Sequence, residues 1–239
     1  MKNLAVDWGN TRIKVGVFDG SNLNEKFFFE GREEFKAFLQ QHHFSAAIVS
    51  SVSQDAQEIS RHISVDGLVI NLDYRTPLPI TLAYKTPETL GVDRIAAACG
   101  ALDIFQGRAF LVVDLGTCIN YEFVDSDCVY HGGAISPGIQ MRFQSMHTFT
   151  AKLPLVEMDA DAKLIGGDTK SCLQSGVMNG VRGEINFYID QYLMTYPNLG
   201  VVMCGGDAPL FENKLKPSIF VAPNLVLSGL NRILRHNAV

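Results

Sequence analysis

The residues best suited to chemistry lie in two short polar turns, each directly after an apolar run. The first turn follows the run 3–6 and the second follows the run 110–113. Each turn opens on an aspartate, Asp7 or Asp114, with a glycine two positions later and then hydroxyl or amide residues. A further apolar run follows at once, so each copy is typical of strand, tight turn and strand, with glycine letting backbone approach a ligand.

The two copies are spaced as an internal duplication. Their aspartates stand 114 − 7 = 107 positions apart, nearly half of the 239 residues. One such turn alone is as consistent with a hairpin cap as with a binding loop, but repetition at half-chain spacing favours function. The chain is therefore expected to form two domains, 1–107 and 108–239.

The chemistry that these turns indicate is phosphate binding. Backbone N–H groups and short hydroxyls surround phosphate oxygens, Lys14 adds positive charge, and aspartates hold hydrated Mg²⁺. The pair of loops is similar to the phosphate loops of the actin, sugar-kinase and Hsp70 superfamily. That resemblance implies an α/β chain of two duplicated actin-like (ribonuclease H-like) domains with the active site in the cleft between them. The fold hosts kinases, ATPases and filament proteins, so function stays open at this point.

Composition and charge restrict the partners. The chain is 47% apolar and 19% charged, with a net charge of −5 and no Lys/Arg stripe, so nucleic acid is not expected. No apolar run approaches the length of a membrane span, and since the first residues already predict a strand, we expect no signal peptide. The five cysteines are odd in number and scattered, which predicts reduced thiols in a cytoplasmic protein and no zinc site.

The remaining elements follow from periodicity. Residues 1–71 predict the order β-β-β-α-β-α-β, and the second half repeats this with fewer elements. Gly132-Gly133 predicts a turn, Pro137 the start of a helix, and the segment after Thr169 a long helix to about Tyr196, with a closing helix over 224–236. Three glycines recur at helical spacing on the long helix and would let another helix approach, within the domain or across a subunit boundary: Gly176, Gly180 and Gly183.

A second chemical signal is the turn formed by residues 91–94. An aspartate at a helix start, here Asp93, is usually a cap. A glycine, an acid and a cation at one turn would equally well hold an anionic substrate beside a base. Both interpretations remain open from the residues alone.

Six motifs in order resemble the type III pantothenate kinases, the first enzymes of coenzyme A synthesis, over residues 1 to about 210. The motifs are 7–14, Gly91-Val92-Asp93-Arg94, Asp114-x-Gly-Thr, 132–138, Gly166-Gly167-Asp168-Thr169 leading to Ser175-Gly176, and Gly205-Gly206. Two details depart from the family pattern. Cys118 and Asn120 replace an alanine and a threonine after the second loop, and Cys204 replaces a threonine before the last glycine pair. Asn120 keeps a hydrogen-bonding side chain, and no carboxylate is lost.

The resemblance implies ATP-dependent phosphorylation of pantothenate to 4′-phosphopantothenate by a cytoplasmic homodimer. Asp93 would be the general base, Asp7 would hold Mg²⁺ through water, and Asp114 would bind a monovalent cation, K⁺ or NH4⁺. The implied ATP and phosphate residues are Asp7, Trp8, Gly9, Asn10, Thr11, Arg12, Ile13, Lys14, Gly116, Thr117, Gly205 and Gly206. The implied pantothenate residues are Tyr84, Gly91, Val92, Asp93, Arg94 and, from the neighbouring subunit, Thr169.

Two rival functions remain on the same scaffold. One is a non-catalytic accessory or regulatory protein, which the presence of Asp7, Asp93 and Asp114 disfavours. The other is another small-molecule kinase or an actin-like ATPase, which the short chain and the turn at 91–94 disfavour.

Overall fold

The two copies of the strand–turn–strand motif belong to different units of the chain. The computed structural model describes residues 2–9, 12–51, 56–212, 214–215 and 219–238. Unit 1 comprises residues 1–107, 127–131 and 224–239, and unit 2 comprises 108–126 and 132–223. The chain thus returns to unit 1 twice, at 127–131 and at 224–239. The domains predicted from the sequence, 1–107 and 108–239, are each one continuous segment.

Unit 1 contains a five-stranded mixed sheet. Its strands are β1 (Lys2–Trp8), β2 (Ile13–Asp19), β3 (Asn22–Phe29), β4 (Ala46–Ser51) and β5 (Val69–Asn71), in the order β3-β2-β1-β4-β5. The pairs β1/β2 and β2/β3 are antiparallel, whereas β1/β4 and β4/β5 are parallel. This sheet and the element order confirm the pattern predicted for residues 1–71.

Two pairs of helices cover the two faces of this sheet. Apolar residues of α1 (Arg32–Gln40) and α2 (Ala56–Ser60) share one core with Leu4, Val6 and Val49. Because side chains alternate along a strand, Ala5 and Asp7 point to the other face. There α3 (Val92–Ala101) and α6 (Leu225–Asn237) pack on each other and on the strands.

A close helix crossing explains why α6 belongs to unit 1. A Cβ atom on Gly229 would lie 1.8 Å from the carbonyl oxygen of Ala96, and one on Gly100 would lie 2.3 Å from that of Leu225. Glycine at both positions therefore lets the backbones of α3 and α6 touch. Because α3 begins beside Asp93, this crossing also fixes the position of a predicted site residue.

Unit 2 is built around a second sheet. Its strands are β7 (Phe110–Leu115), β8 (Cys118–Val124), β9 (Val129–Pro137), β10 (Gly200–Cys204) and β11 (Ile219–Val221). The strand order is β11-β10-β7-β8-β9-β6. The last strand, β6 (Thr81–Leu82), pairs with the first residues of β9, and both of these segments belong to unit 1. The helices are α4 (Ile139–Thr148) and α5 (Thr169–Thr195), and α5 contributes much of the apolar core. In the described part of the chain, no helix combines the length and apolar character needed to cross a bilayer.

Two local predictions for unit 2 were wrong. Gly132-Gly133 does not turn the chain but lies inside β9, where a Cβ on Gly133 would come within 1.7 Å of the Tyr121 carbonyl oxygen. Glycine is needed there for close strand approach. Pro137 ends β9 and does not start α4, because Gly138 takes the N-cap position.

The helix crossing predicts that Gly229→Ala destabilises the protein. The added methyl group must displace backbone of α3, so we expect a loss of about 2–4 kcal/mol, within the range of severe overpacking. Ser228→Ala on the same helix is the control and should change stability by less than about 1 kcal/mol. Urea denaturation of both variants measures the difference, and equal midpoints would contradict the proposed crossing.

Candidate active site

Asp7 is a buried carboxylate at the end of β1. Its residue surface is 5% exposed, and Lys14, its partner across the β1/β2 pair, places Nζ 3.4 Å from Asp7 Oδ2. Burial raises the pKa of Asp7 above its usual range, the positive charge of Lys14 lowers it, and the negative charge of Asp93 raises it further. A carboxylate that is costly to ionise, next to a second acid and a cation, is typical of a functional site.

The rest of the first loop divides into structural and accessible residues. Asn10 and Thr11 lie outside the described residues. Ile13 is 2% exposed within the core of unit 1, so only its backbone is available to a ligand. Trp8 packs edge-on against Phe35 at 5.8 Å between ring centroids, whereas Arg12 is exposed.

Asp93 occupies the first turn of α3 without being its N-cap. Gly91 has the N-cap position, and Asp93 Oδ1 accepts a hydrogen bond from the Arg94 backbone N–H at 2.9 Å. A Cβ on Gly91 would lie 2.6 Å from this same Oδ1. The glycine leaves room for the carboxylate in this rotamer, and the Arg94 N–H holds the carboxylate while Asp93 stays partly exposed.

Arg94 and Tyr84 meet next to this turn. Arg94 is 7% exposed, and its guanidinium carbon lies 5.9 Å from the centre of the Tyr84 ring. Tyr84 in turn contacts Tyr130 at 6.1 Å between centroids. An aromatic face stabilises a guanidinium and orients its N–H groups, which suits bidentate binding of a carboxylate. The structure therefore brings together Tyr84, Gly91, Val92, Asp93 and Arg94, with Asp7 in electrostatic reach of Asp93.

In unit 2 the second loop is backed by the glycine pair near residue 205. Asp114 lies near the end of β7, paired with Asn120 and Cys204 on the neighbouring strands. Gly205 has φ +91°, and a Cβ there would lie 2.5 Å from Asp114 Oδ1 and 2.2 Å from the Leu115 carbonyl oxygen. Two predicted motifs are thus adjacent, which the sequence separation of about ninety residues does not reveal.

Gly138 supports the same loop from another side. A Cβ on Gly138 would lie 2.3 Å from the Gly116 carbonyl oxygen, and the Gly138 N–H donates to the Thr117 carbonyl at 3.1 Å. The backbone of the second loop therefore rests directly on the start of α4. Only glycine fits this contact, which accounts for its place in the motif 132–138.

A polar network that the sequence did not predict holds this region of unit 2. Glu184 accepts hydrogen bonds from Arg142 Nη2 at 2.5 Å, Tyr121 Oη at 2.9 Å and Ser136 Oγ at 3.1 Å. Burial, followed by the nearby Glu184 charge, raises the pKa of Tyr121, so the phenol remains a donor. The four residues come from β8, β9, α4 and α5 and have no sequence spacing in common, so no motif could have identified them.

Asp207 is a second carboxyl group that the sequence analysis missed. Burial raises the pKa of Asp207, and its backbone N–H donates to the Leu115 carbonyl at 3.0 Å. Its position directly after Gly205-Gly206 was the available signal. Thr169 is exposed at the first position of α5, next to a capping box formed by Asp168 and Ser171, and its role stays a prediction.

Known proteins resemble this chain over nearly its whole length. The family model described as type III pantothenate kinase matches residues 3–191. The type III pantothenate kinase of Bacteroides fragilis strain YCH46 is 42% identical over 238 residues, covering 98% of both chains. That of Christiangramia forsetii is 41% identical over 239 residues with the same coverage.

Solved structures resemble the fold at lower identity. A conserved Campylobacter jejuni protein, classed with the Baf family of transcriptional activators, aligns with a TM-score of 0.64 at 21% identity over 98% of both chains. Glucokinase from an Antarctic psychrotroph aligns with a TM-score of 0.54 at 13% identity over 99% of both. These likenesses confirm the predicted fold class, an α/β chain of two actin-like units.

The family model matches most of the chain, and two relatives are more than 40% identical to it. Both findings agree with the motif order and with the geometry at Asp7, Asp93 and Arg94. The chain belongs to the type III pantothenate kinase family.

Proposed function

We propose that this protein phosphorylates pantothenate with ATP to give 4′-phosphopantothenate, the first step of coenzyme A biosynthesis. The chain is a kinase of a family that uses an alcohol as phosphoryl acceptor. The observation that carries the proposal is the turn at 91–94, where a partly exposed acid lies beside a buried arginine on a tyrosine face. Pantothenate offers the two matching groups, a primary hydroxyl for the acid and a carboxylate for the arginine.

Asp93 is the general base in this mechanism. The Arg94 N–H fixes one carboxylate oxygen, and the second oxygen accepts the proton of the substrate hydroxyl as that hydroxyl attacks the γ-phosphorus. Arg94 and Tyr84 orient the substrate at its carboxylate end, with Gly91 and Val92 beside the reacting end. Because the transition state is loose, the protein contributes chiefly positioning and charge neutralisation.

Asp7 and Lys14 act on the nucleotide side. Lys14 approaches the phosphates as a mobile cation, and Asp7 holds the hydrated divalent metal that a kinase requires, here proposed as Mg²⁺. The donor chemistry fits, because Mg²⁺ is usually held by one or two carboxylates together with substrate phosphates and waters. The metal supplies charge neutralisation at the phosphates when bound.

Asp114 is proposed as the ligand for a monovalent cation, K⁺ or NH4⁺. Its carboxylate is packed against Gly205 and partly exposed, and the Leu115 carbonyl oxygen approaches the same glycine. Oxygen ligands of this kind suit a weakly hydrated cation. Gly116, Thr117 and the pair Gly205-Gly206 then bind the phosphates and the adenosine.

A homodimer and a cytoplasmic location complete the proposal. The glycines of α5 support the dimer, since a Cβ on Gly176, Gly180 or Gly183 would meet no described residue within 4 Å. Phe187 and Met194 follow on the same exposed side, 58% and 75% exposed. This helix face consists of small and apolar residues that no described residue covers. Such a face is suited to close contact with a second copy. All five cysteines are free, as a reducing compartment would keep them.

The experiment that tests the function is pantothenate-dependent release of ADP. The proposed enzyme releases ADP only when pantothenate is present. A chain that releases ADP with sugars or without acceptor would be another kinase or an ATPase, and a chain that releases none would be an accessory protein.

Asp93→Asn should lower kcat by about 10²–10⁴-fold, the usual contribution of a general base, with binding of ATP and pantothenate retained. Steady-state kinetics and calorimetric binding measure the two effects. Glu88→Gln, an exposed charge change just before the turn, is the control and should leave kcat unchanged. Near-normal turnover in the asparagine variant would place the base elsewhere.

Replacing potassium by sodium should reduce activity, because Na⁺ holds its hydration shell more tightly than K⁺ and exchanges its waters for protein oxygens less readily. Asp114→Ala should remove the difference between the two salts while keeping the requirement for magnesium. Initial rates in matched chloride salts measure this, and equal wild-type rates in both salts would rule out the cation assignment.

Thr169→Ala and Asp93→Asn should each be nearly inactive alone and should complement each other after mixed refolding. If Thr169 completes the site of the other subunit, a mixed dimer has one site with both lesions and one with neither. Random mixing gives about half mixed dimers, so activity should return to roughly one quarter of wild type. Failure of demonstrated heterodimers to recover activity would mean that Thr169 acts within its own chain.

A further inference from the structure

Ser50 carries a buried hydroxyl for which the described residues offer no hydrogen-bond partner. The residue is 0% exposed at the end of β4, and its Oγ makes no hydrogen bond within the part of the chain that the structure describes. A buried hydroxyl left unpaired costs about 1–3 kcal/mol, so its presence needs an explanation. Packing alone would be served as well by alanine.

The strand register places Ser50 next to Asp7. The two residues are direct partners in the parallel pair β1/β4, and neighbouring strands lie about 4.8 Å apart. The preceding residues of both strands, Val6 and Val49, belong to the core with α1 and α2. By alternation, Ser50 and Asp7 therefore both point to the sheet face that α3 covers, which is the helix that carries Asp93.

The Asp7 carboxylate has capacity for more than its contact with Lys14. Lys14 Nζ lies 3.4 Å from Oδ2, and an ionised carboxylate offers about four acceptor positions. A hydroxyl can donate one hydrogen bond and accept another, and it adds no charge beside the two acids. Ser50 is thus suited to hold a water molecule jointly with Asp7.

We infer that Ser50 is a positioning residue of the Asp7 site, whose hydroxyl binds the water through which Asp7 contacts the metal-bound nucleotide. The inference rests on the proposed function, since it adds Ser50 to the residues proposed to bind the metal–nucleotide complex. A buried bridging water needs two to four polar partners, and the Asp7 carboxylate and the Ser50 hydroxyl provide two beside the metal ion that the water would contact. Binding of this water would give the buried Ser50 hydroxyl the hydrogen bond that the described residues do not provide.

Ser50→Ala should weaken binding of magnesium–ADP by about 5-fold, the value of one hydrogen bond. ADP binding in EDTA and the KM for pantothenate should not change, because neither depends on that water. The thermal midpoint should stay constant or rise, since the deleted hydroxyl had no partner. Isothermal titration calorimetry, kinetics and thermal unfolding measure the four quantities.

Two further variants separate the hydroxyl from its volume and its location. Ser50→Cys keeps the size but replaces the hydroxyl by a weak donor, so it should lose affinity as alanine does. Ser51→Ala removes the next hydroxyl, on the opposite face beside Trp8, and should leave magnesium–ADP affinity unchanged.

The inference fails if Ser50→Ala binds magnesium–ADP like wild type, or if Ser50→Cys restores full affinity. It fails equally if Ser50→Ala lowers the thermal midpoint and weakens ADP binding with and without magnesium alike, since that is a structural role. A wild-type chain that binds magnesium–ADP but does not phosphorylate pantothenate contradicts the proposed function, while the comparison of variants still decides the role of Ser50. A wild type that binds no magnesium–ADP overturns both.

Discussion

The packing of unit 1 keeps one carboxylate, that of Asp7, out of water. Burial alone disfavours its charge, and the lysine across the strand pair offsets part of that cost. On the same face of the sheet Ala5 pairs with Gly16, and the Phe18 ring packs over this glycine. A polar group at the end of a packed strand is thereby fixed in direction, which is what a phosphate-transfer site needs because its catalysis is mainly positioning.

The second acid is placed by helix packing. Backbone contact at Gly100 and Gly229 fixes the position of α3 against α6. Asp93 lies in the first turn of α3. Gly91 then leaves the space into which its carboxylate turns. The C-terminal helix, which carries no predicted site residue, therefore supports the site through α3, which explains its place in unit 1.

Unit 2 uses the same means for its own loop. Gly138 and Gly205 approach the backbone of the turn at 115–117 where any side chain would collide. Behind Gly138, Arg142 and Glu184 connect α4 to α5. A loop held by backbone contacts on two sides would lose little entropy on binding a ligand, which suits the phosphate-binding role proposed for it.

The sequence by itself determined the local features: the duplicated strand–turn–strand units, the order of elements in the first half, the long helix, and the acids at Asp7, Asp93 and Asp114. These follow from periodicity and residue type, which act over a few positions. The tertiary structure decided what depends on contacts distant in sequence. It returned α6 to unit 1, kept Gly132-Gly133 within a strand, set Gly205 against Asp114 and placed Ser50 beside Asp7. The physical reason is that a glycine or a serine has the same local pattern wherever it occurs, and only the neighbour brought close by folding gives it a role.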